Sequence, residues 1–181
     1  AGVMSLSVGI SVIGGAAGSS VQQVGTGLLA GSLKAAAVPD PALVPWVQKA
    51  GSLCPTFPAS VIAAQMQTES GWNPAAVSPA GAEGIAQFMP ATWPVYAQDD
   101  AGDGQPSPLN AIDGIMAAGR YECALVAQEG ELAASSGVPV LSLALAAYNA
   151  SPQAVAAAGG IPPYPETESY VASIEALSTR K

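Results

Sequence analysis

Histidine is absent from this 181-residue chain, cysteine occurs twice, and charged residues make up only 10% of it. Each scarcity removes chemistry. Without His there is no Ser-His-Asp triad, no Cys-His pair and no His- or Cys-rich zinc site. Only 5 Lys and Arg stand against 13 acids, a net charge of −8, so the basic footprint that a phosphate backbone requires is missing and nucleic acid is not an expected partner. Aromatics are also scarce, at 6%, and much of the 50% hydrophobic content is Ala, which favours closely packed helices over strands. The expected fold class is mostly α. What remains for chemistry is carboxylates, hydroxyls and Tyr.

The first charge is Lys34, and the apolar run from Val3 to Ile13 is broken by Ser and Gly, so it is short of the ~20 apolar residues of a membrane helix. It reads either as the tail of a signal peptide or membrane anchor, or as a flexible Ala/Gly/Ser leader. The division expected is residues 1–37 as leader and 38–181 as one functional domain. Cys54 and Cys123 read as a disulfide that closes a long loop, the alternative being two buried apolar thiols.

Punctuation residues mark the helices. Asp40-Pro41 and Gly51 bracket a short one with Trp46 and Val47 inward, its start open to delay by Pro45. Pro58 opens a second through Val61, Ile62 and Met66 to Ser70-Gly71. Gly, Pro, Asn and Ser then dominate to Pro90, an irregular stretch with an apolar segment at Ile85 to Met89. Pro90 begins a short helix with Trp93 and Tyr96. Ser107-Pro108 is read as the cap of a helix to about Gln128, with Leu109, Ile112, Ile115, Met116, Cys123 and Val126 inward and Asp113 as a polar contact at its start. Glu131 to Ser135 and Val140 to Tyr148 read as two further helices. The second, with its apolar LSLALAAY, is expected to be central and to deliver Tyr148 and Asn149 to a cleft edge. Ser151-Pro152 opens a helix ending at Gly159-Gly160, and Glu166 or Thr167 opens the last, through Tyr170, Val171, Ile174 and Leu177.

Asp99 to Gly104, read DDAGDG, has Asp99, Asp103 and Gly104 at positions one, five and six of an EF-hand loop. Ala101 and Asn110 occupy positions three and twelve, which deplete the ligand set, so the reading is a solvated acidic turn, with calcium the minor alternative.

Glu69 follows Ile62 by seven residues and Met66 by three, which puts it on their helical face near the C-terminal end. Desolvation and the negative end of the helix dipole both raise a carboxyl pKa there, as a general acid requires. Spacing alone also fits a Glu satisfied by a core hydrogen bond, or one reaching solvent from a frayed turn.

The stretch ESGWNPAAVSPAGAEGIAQFMPATW resembles the signature of the soluble lytic transglycosylase family, a lysozyme-like fold related to goose-type lysozyme. AAYNASPQAV and PETESYV are similar to that family's later signatures, in the same order, and the resemblance covers roughly Ala42 to Leu177. It implies a lysozyme-like helical domain with a central buried helix and an irregular, loop-lined cleft. The acidic turn resembles that of some secreted relatives, particularly actinobacterial ones. By resemblance the catalytic acid is Glu69, with Ser70 beside it. Ser78 and Ala80 match a loop leading into the cleft, and Gln87 and Met89 match its floor. Tyr148 matches a Tyr that hydrogen-bonds the catalytic carboxylate, Asn149 the Asn beside it, and Glu166 and Tyr170 the cleft wall. The chain departs from the family at Ser151, where Gly is usual and a positive φ is strained for Ser, and at Ala86, where an apolar Met is usual.

The resemblance implies cleavage of peptidoglycan glycan strands between N-acetylmuramic acid and N-acetylglucosamine, with 1,6-anhydro product and one Glu serving as acid and then base. It implies a monomer, extracellular or in the cell envelope, that needs no metal and no cofactor. Asp99, Asp103 and Asp113 are candidates for a second carboxylate, which would make a hydrolytic muramidase. A cell-wall binding module without turnover is the remaining alternative.

Overall fold

Alanine-rich helices can approach one another closely, and the computed structural model, which describes residues 37–180, is built on that property. Except for Ala37, the expected leader lies outside the described residues. A 3-10 turn at Pro41–Leu43, capped by the Asp40 side chain, leads into α1, Val44–Ala50. Next come α2 (Ala59–Ser70), α3 (Trp93–Tyr96), α4 (Ala111–Ser136), α5 (Val140–Ala150), α6 (Pro152–Ala158) and α7 (Pro165–Ser178). No strand forms among the described residues beyond isolated bridges of Glu83 with Val77 and Phe88. No helix among them is long and apolar enough to cross a membrane.

The fold is mostly α, as composition predicts, and α5 is its centre. Leu143, Ala144, Leu145, Ala146 and Ala147 are all fully buried, because α4, α6 and α7 pack around this one helix. A helix apolar on every side has no solvent face to offer. The first two turns of α2 are buried in the same way, from Ala59 to Met66 apart from half-buried Ser60, between α1, α4 and α7. Cys54 and Cys123 are bridged, with Cα atoms 5.8 Å apart, which ties the loop before α2 to the middle of α4.

The short helix read from Pro90 opens only at Trp93, and three further boundaries differ from those read in the sequence. The cap of α4 is Asn110, whose side chain accepts from the Ile112 amide, and not Ser107-Pro108, so Leu109 lies outside the helix and exposed. Second, α4 runs through Gly130 and absorbs the separate helix expected at Glu131 to Ser135. Gly costs about 1 kcal/mol against Ala in a helix, and the packing of Leu132 and Ala133 against the core offsets it. Third, α7 starts at Pro165, a residue earlier than expected, with proline in its first turn where the missing N–H costs nothing.

The acidic turn is a backbone clamp. Asp99 accepts from the amides of Gly102, Asp103 and Gly104, and buried Asp113 from those of Asp100, Ala101 and Ser107. Arg120 pairs with Asp100 at 2.8 Å. The carboxylates that an EF-hand would turn toward an ion are here turned toward N–H groups. Among the described residues no three acidic, Cys or His side chains gather as a metal would need.

Candidate active site

Gly71, at φ +60°, ends α2 and leaves Glu69 in its last turn. The chain then folds back as an irregular segment whose compact turn, Glu83 to Phe88, is closed by paired backbone hydrogen bonds of 2.9 Å. Gly84 in that turn has φ +79° and lies so close to the Pro108 carbonyl that a Cβ would sit 1.7 Å from its oxygen, so no other residue fits. Ile85, Ala86 and Phe88 anchor the turn in the core.

Side chains stitch the same turn to the helices around it. The Ser70 hydroxyl donates to the Ile85 carbonyl (2.8 Å), the Tyr148 hydroxyl to Ala86 (2.8 Å), and the Gln87 amide to Gly84 (2.8 Å) and Ala76 (3.3 Å). Two expectations are corrected here. Ser70 does not line the cavity, because its hydroxyl is turned to the carbonyl behind it. Tyr148 does line it, but its hydroxyl donates to backbone and not to the acid.

The partner of Glu69 is Tyr170 of α7, whose hydroxyl donates to Oε1 at 2.5 Å. The acid stands in a cavity of about 530 Å³. Its walls include Ser78, Gln87 and Met89 from the irregular segment, Tyr148 and Asn149 from the end of α5, and Glu166 and Tyr170 from α7. Every expected site residue except Ser70 therefore converges on one cleft. Asn149 accepts from the buried Thr167 hydroxyl at 2.8 Å, which fixes the end of α5 against the start of α7. Met89 is 44% exposed, an apolar surface offered to the cleft.

Burial is the main electrostatic fact of the site. It pushes the Glu69 carboxyl up from 4.5 to about 7; the Tyr170 hydrogen bond opposes this and the negative charge of Glu166 adds to it. Burial also raises Tyr148 and Tyr170 well above the usual phenol range, so both remain neutral donors. A half-buried carboxyl with a pKa near neutrality can give up a proton and take one back without a large penalty either way.

Residues 48–170 match the transglycosylase SLT domain. The chain belongs to this family. Among solved structures it is similar to the 70 kDa soluble lytic transglycosylase from Escherichia coli, at 26% identity and a TM-score of 0.57. That match covers 74% of this chain and 23% of the other, so the chain spans under a quarter of its relative's length.

The cleft of this SLT-family chain also holds site residues that the sequence reading missed. Thr68, Ala82, Ser169 and Ser173 line the cavity. The two serines were within reach of helical spacing, since they follow Glu166 by three and seven residues on the face that carries Tyr170. Gln65 and Glu122, both fully buried, were missed as well: the Gln65 amide donates to Glu122 Oε1 (2.5 Å) and to the Tyr170 hydroxyl (3.2 Å). Gln65 lies one turn before Glu69. Glu122 falls between Ile115, Ala118 and Leu125 at the spacing of the buried stripe of α4.

Proposed function

We propose that this domain cleaves the β-1,4 bond between N-acetylmuramic acid and N-acetylglucosamine in peptidoglycan as a lytic transglycosylase. The observation that carries the reading is Glu69: one carboxyl in a cleft of sugar-binding size, bonded to Tyr170 and raised to about 7. Glu69 protonates the glycosidic oxygen as the bond breaks, while the substrate's own N-acetyl group stabilises the anomeric carbon. The Glu69 carboxylate then takes the proton of the muramic C6 hydroxyl, which closes the 1,6-anhydro ring. Proton count balances within the substrate, water is not consumed, and one acid that returns as a base suffices.

The remaining wall residues suit the binding of a glycan. Ser78, Gln87, Asn149, Ser169 and Ser173 offer hydroxyl and amide groups, and Met89 offers an apolar face to a pyranose ring. The Cys54–Cys123 bridge favours an oxidising compartment, extracellular or in the cell envelope. We take the domain to act as a monomer; an N-terminal membrane anchor would fall in residues 1–37.

A hydrolytic muramidase is the second reading, favoured by Glu166, the other carboxylate that lines the cavity. Asp99, Asp103 and Asp113, the candidates read in the sequence, lie in the backbone clamp instead. Mass spectrometry of muropeptides released from purified peptidoglycan separates the alternatives. The proposal expects 1,6-anhydro ends, lost in Glu69→Gln. Reducing ends mean hydrolysis, and release unaffected by Glu69→Gln removes this residue from the chemistry.

A further inference from the structure

The reaction above uses one half-buried acid and leaves a fully buried one unexplained. Glu122, in the middle of α4, has no solvent exposure and, among the described residues, no cation paired with it. The titratable groups that act on it and its neighbours are Glu69 from α2, Tyr121 of α4, Tyr148 from α5 and Tyr170 from α7, all of them acids. A carboxyl so placed is costly unless it is neutral and well bonded. Burial, with Glu69 nearby, holds Glu122 well above the ordinary carboxyl range, so it carries its proton.

The hydrogen bonds around it have a direction. The Gln65 amide nitrogen has two protons, one for Glu122 Oε1 and one for the Tyr170 oxygen. With its oxygen already accepting from Gln65, Tyr170 gives its single proton to Glu69 Oε1. Gln65 Oε1 and Glu122 Oε2 are two of the three buried side-chain polar atoms among the described residues with no partner within the protein, the third being Trp72 Nε1. The first two are complementary only when Glu122 is protonated, one being then an acceptor and the other a donor. A carboxylate at 122 would leave two acceptors and no donor.

We propose that Glu122 is a positioning residue for the reaction at Glu69: paired with Gln65, it fixes the Tyr170 hydroxyl as a donor to Glu69 Oε1 and so leaves Oε2 to carry the transferable proton. The inference rests on Glu69 being the acid, and it adds which of its oxygens does the work and what enforces that choice. With Oε1 always accepting, Oε2 protonates the glycosidic oxygen and afterwards receives the C6 hydroxyl proton. Without the amide held in place, Gln65 is free to present its oxygen to Tyr170. The phenol proton can then turn to Gln65, and Glu69 loses its orientation.

The test combines carboxyl-carbon NMR titration of Glu69 with kinetics on peptidoglycan for Glu122→Leu and Glu122→Gln, folding being checked by thermal melts. In Glu122→Leu the Glu69 titration moves upward by roughly one unit, because a hydrogen bond to the carboxylate is lost. In the same variant kcat falls about 10-fold or more while KM holds. Glu122→Gln, whose amide reproduces both the donor and the acceptor of the protonated acid, recovers most of that loss and returns the titration to its wild-type position. If Glu122→Leu does not fold, Glu122→Met, which keeps the length of the side chain and leaves Gln65 equally free to turn, takes its place with the same expectation. A downward shift of the Glu69 titration in Glu122→Gln overturns the proposal, since it means that Glu122 is ionised and acts through charge. A wild-type titration and kcat in a folded Glu122→Leu also overturn it. The titration needs no turnover, so the proposal is judged separately from the role of Glu69, which Glu69→Gln kinetics decide.

Discussion

Tyr170 lies 101 residues beyond Glu69 in the chain, yet its hydroxyl donates to the Glu69 carboxyl at 2.5 Å across the interface of α2 and α7. That contact opposes the effect of burial: desolvation disfavours the Glu69 anion, and the phenol proton partly restores it. The balance places the group near neutrality, where acid and base roles are both accessible.

Tyr170→Phe removes the restoring bond and little else. The Glu69 pKa, about 7 in the native domain, rises, since the bond to Tyr170 is what lowers it. The protonated acid then persists to higher pH, so the alkaline limb of kcat/KM moves up by roughly one unit. Loss of orientation lowers kcat about 10-fold, and stability drops by about 1 kcal/mol as Gln65 loses an acceptor. A pH profile of peptidoglycan cleavage checks the sign; an alkaline limb that moves down contradicts the role given to Tyr170.

Much of this site was legible before any coordinates. The spacing of Glu69 from Ile62 and Met66 put it on an inward face, LSLALAAY announced the central helix, and Ser151-Pro152 marked the start of α6. The partners of the site were not legible. The end of the apolar helix brings Tyr148 to a cleft edge and the family resemblance puts Tyr170 at the cleft wall, but the choice of which bonds Glu69 depends on how α5 and α7 cross. Glu122 escaped for a different reason. A Glu in a helix is read as solvated, and only a protonated carboxyl paired with a distant amide makes its burial tolerable. The helix through Gly130 shows the reverse case, a local stop signal overruled by packing.

The same burial that suits Glu69 to acid chemistry makes it a stability liability. Its folded pKa is raised above the unfolded value, so between pH 4.5 and about 7 the folded state binds more protons. Stability from this group is therefore full below pH 4.5 and is lost as pH rises through 7. At 1.36 kcal/mol per unit the shift corresponds to roughly 3 kcal/mol, or about 2 kcal/mol once solvent screening at the cleft is allowed for. Glu69→Gln removes the titration. Urea melts at pH 8 should find this variant more stable than wild type by about 2 kcal/mol, with a small difference at pH 4.5. A gap that widens toward acid pH contradicts the raised pKa.

The Cys54–Cys123 bridge spans a sequence separation of 69 residues that includes all of α2, the turn beneath the cleft and the Asp99 clamp. Loop-closure entropy for a ring of that size is roughly 4 kcal/mol, a large share of the 5–15 kcal/mol typical of a domain. Replacing both cysteines by Ser should lower stability by about that amount. Cys123 adjoins Glu122, so activity should fall before global unfolding does. Calorimetry and cleavage assays with and without reductant check both parts, and coincident loss of the two shows that the bridge has no local effect on the site.

Ser151 joins α5 to α6 at φ +106°, ψ +151°, a region that is essentially reserved for Gly and costs a side chain about 1–3 kcal/mol. What it gains in return is a long hydrogen bond, 3.3 Å, from the Ala154 amide to its hydroxyl as helix cap. Replacement by Gly releases the strain and loses only a few tenths of a kcal/mol of capping, against which the greater freedom of Gly in the unfolded chain sets roughly 0.5–1 kcal/mol. Ser151→Gly should therefore stabilise the domain by about 1 kcal/mol, a rise of roughly 3 °C in Tm. Ser151→Ala keeps the strain and discards the cap, and should destabilise by about 1 kcal/mol. Opposite signs for two such small changes at one position are what the strained backbone requires. Equal losses in thermal melts of the two variants would mean that the hydroxyl, and not the torsion, is what matters at this junction.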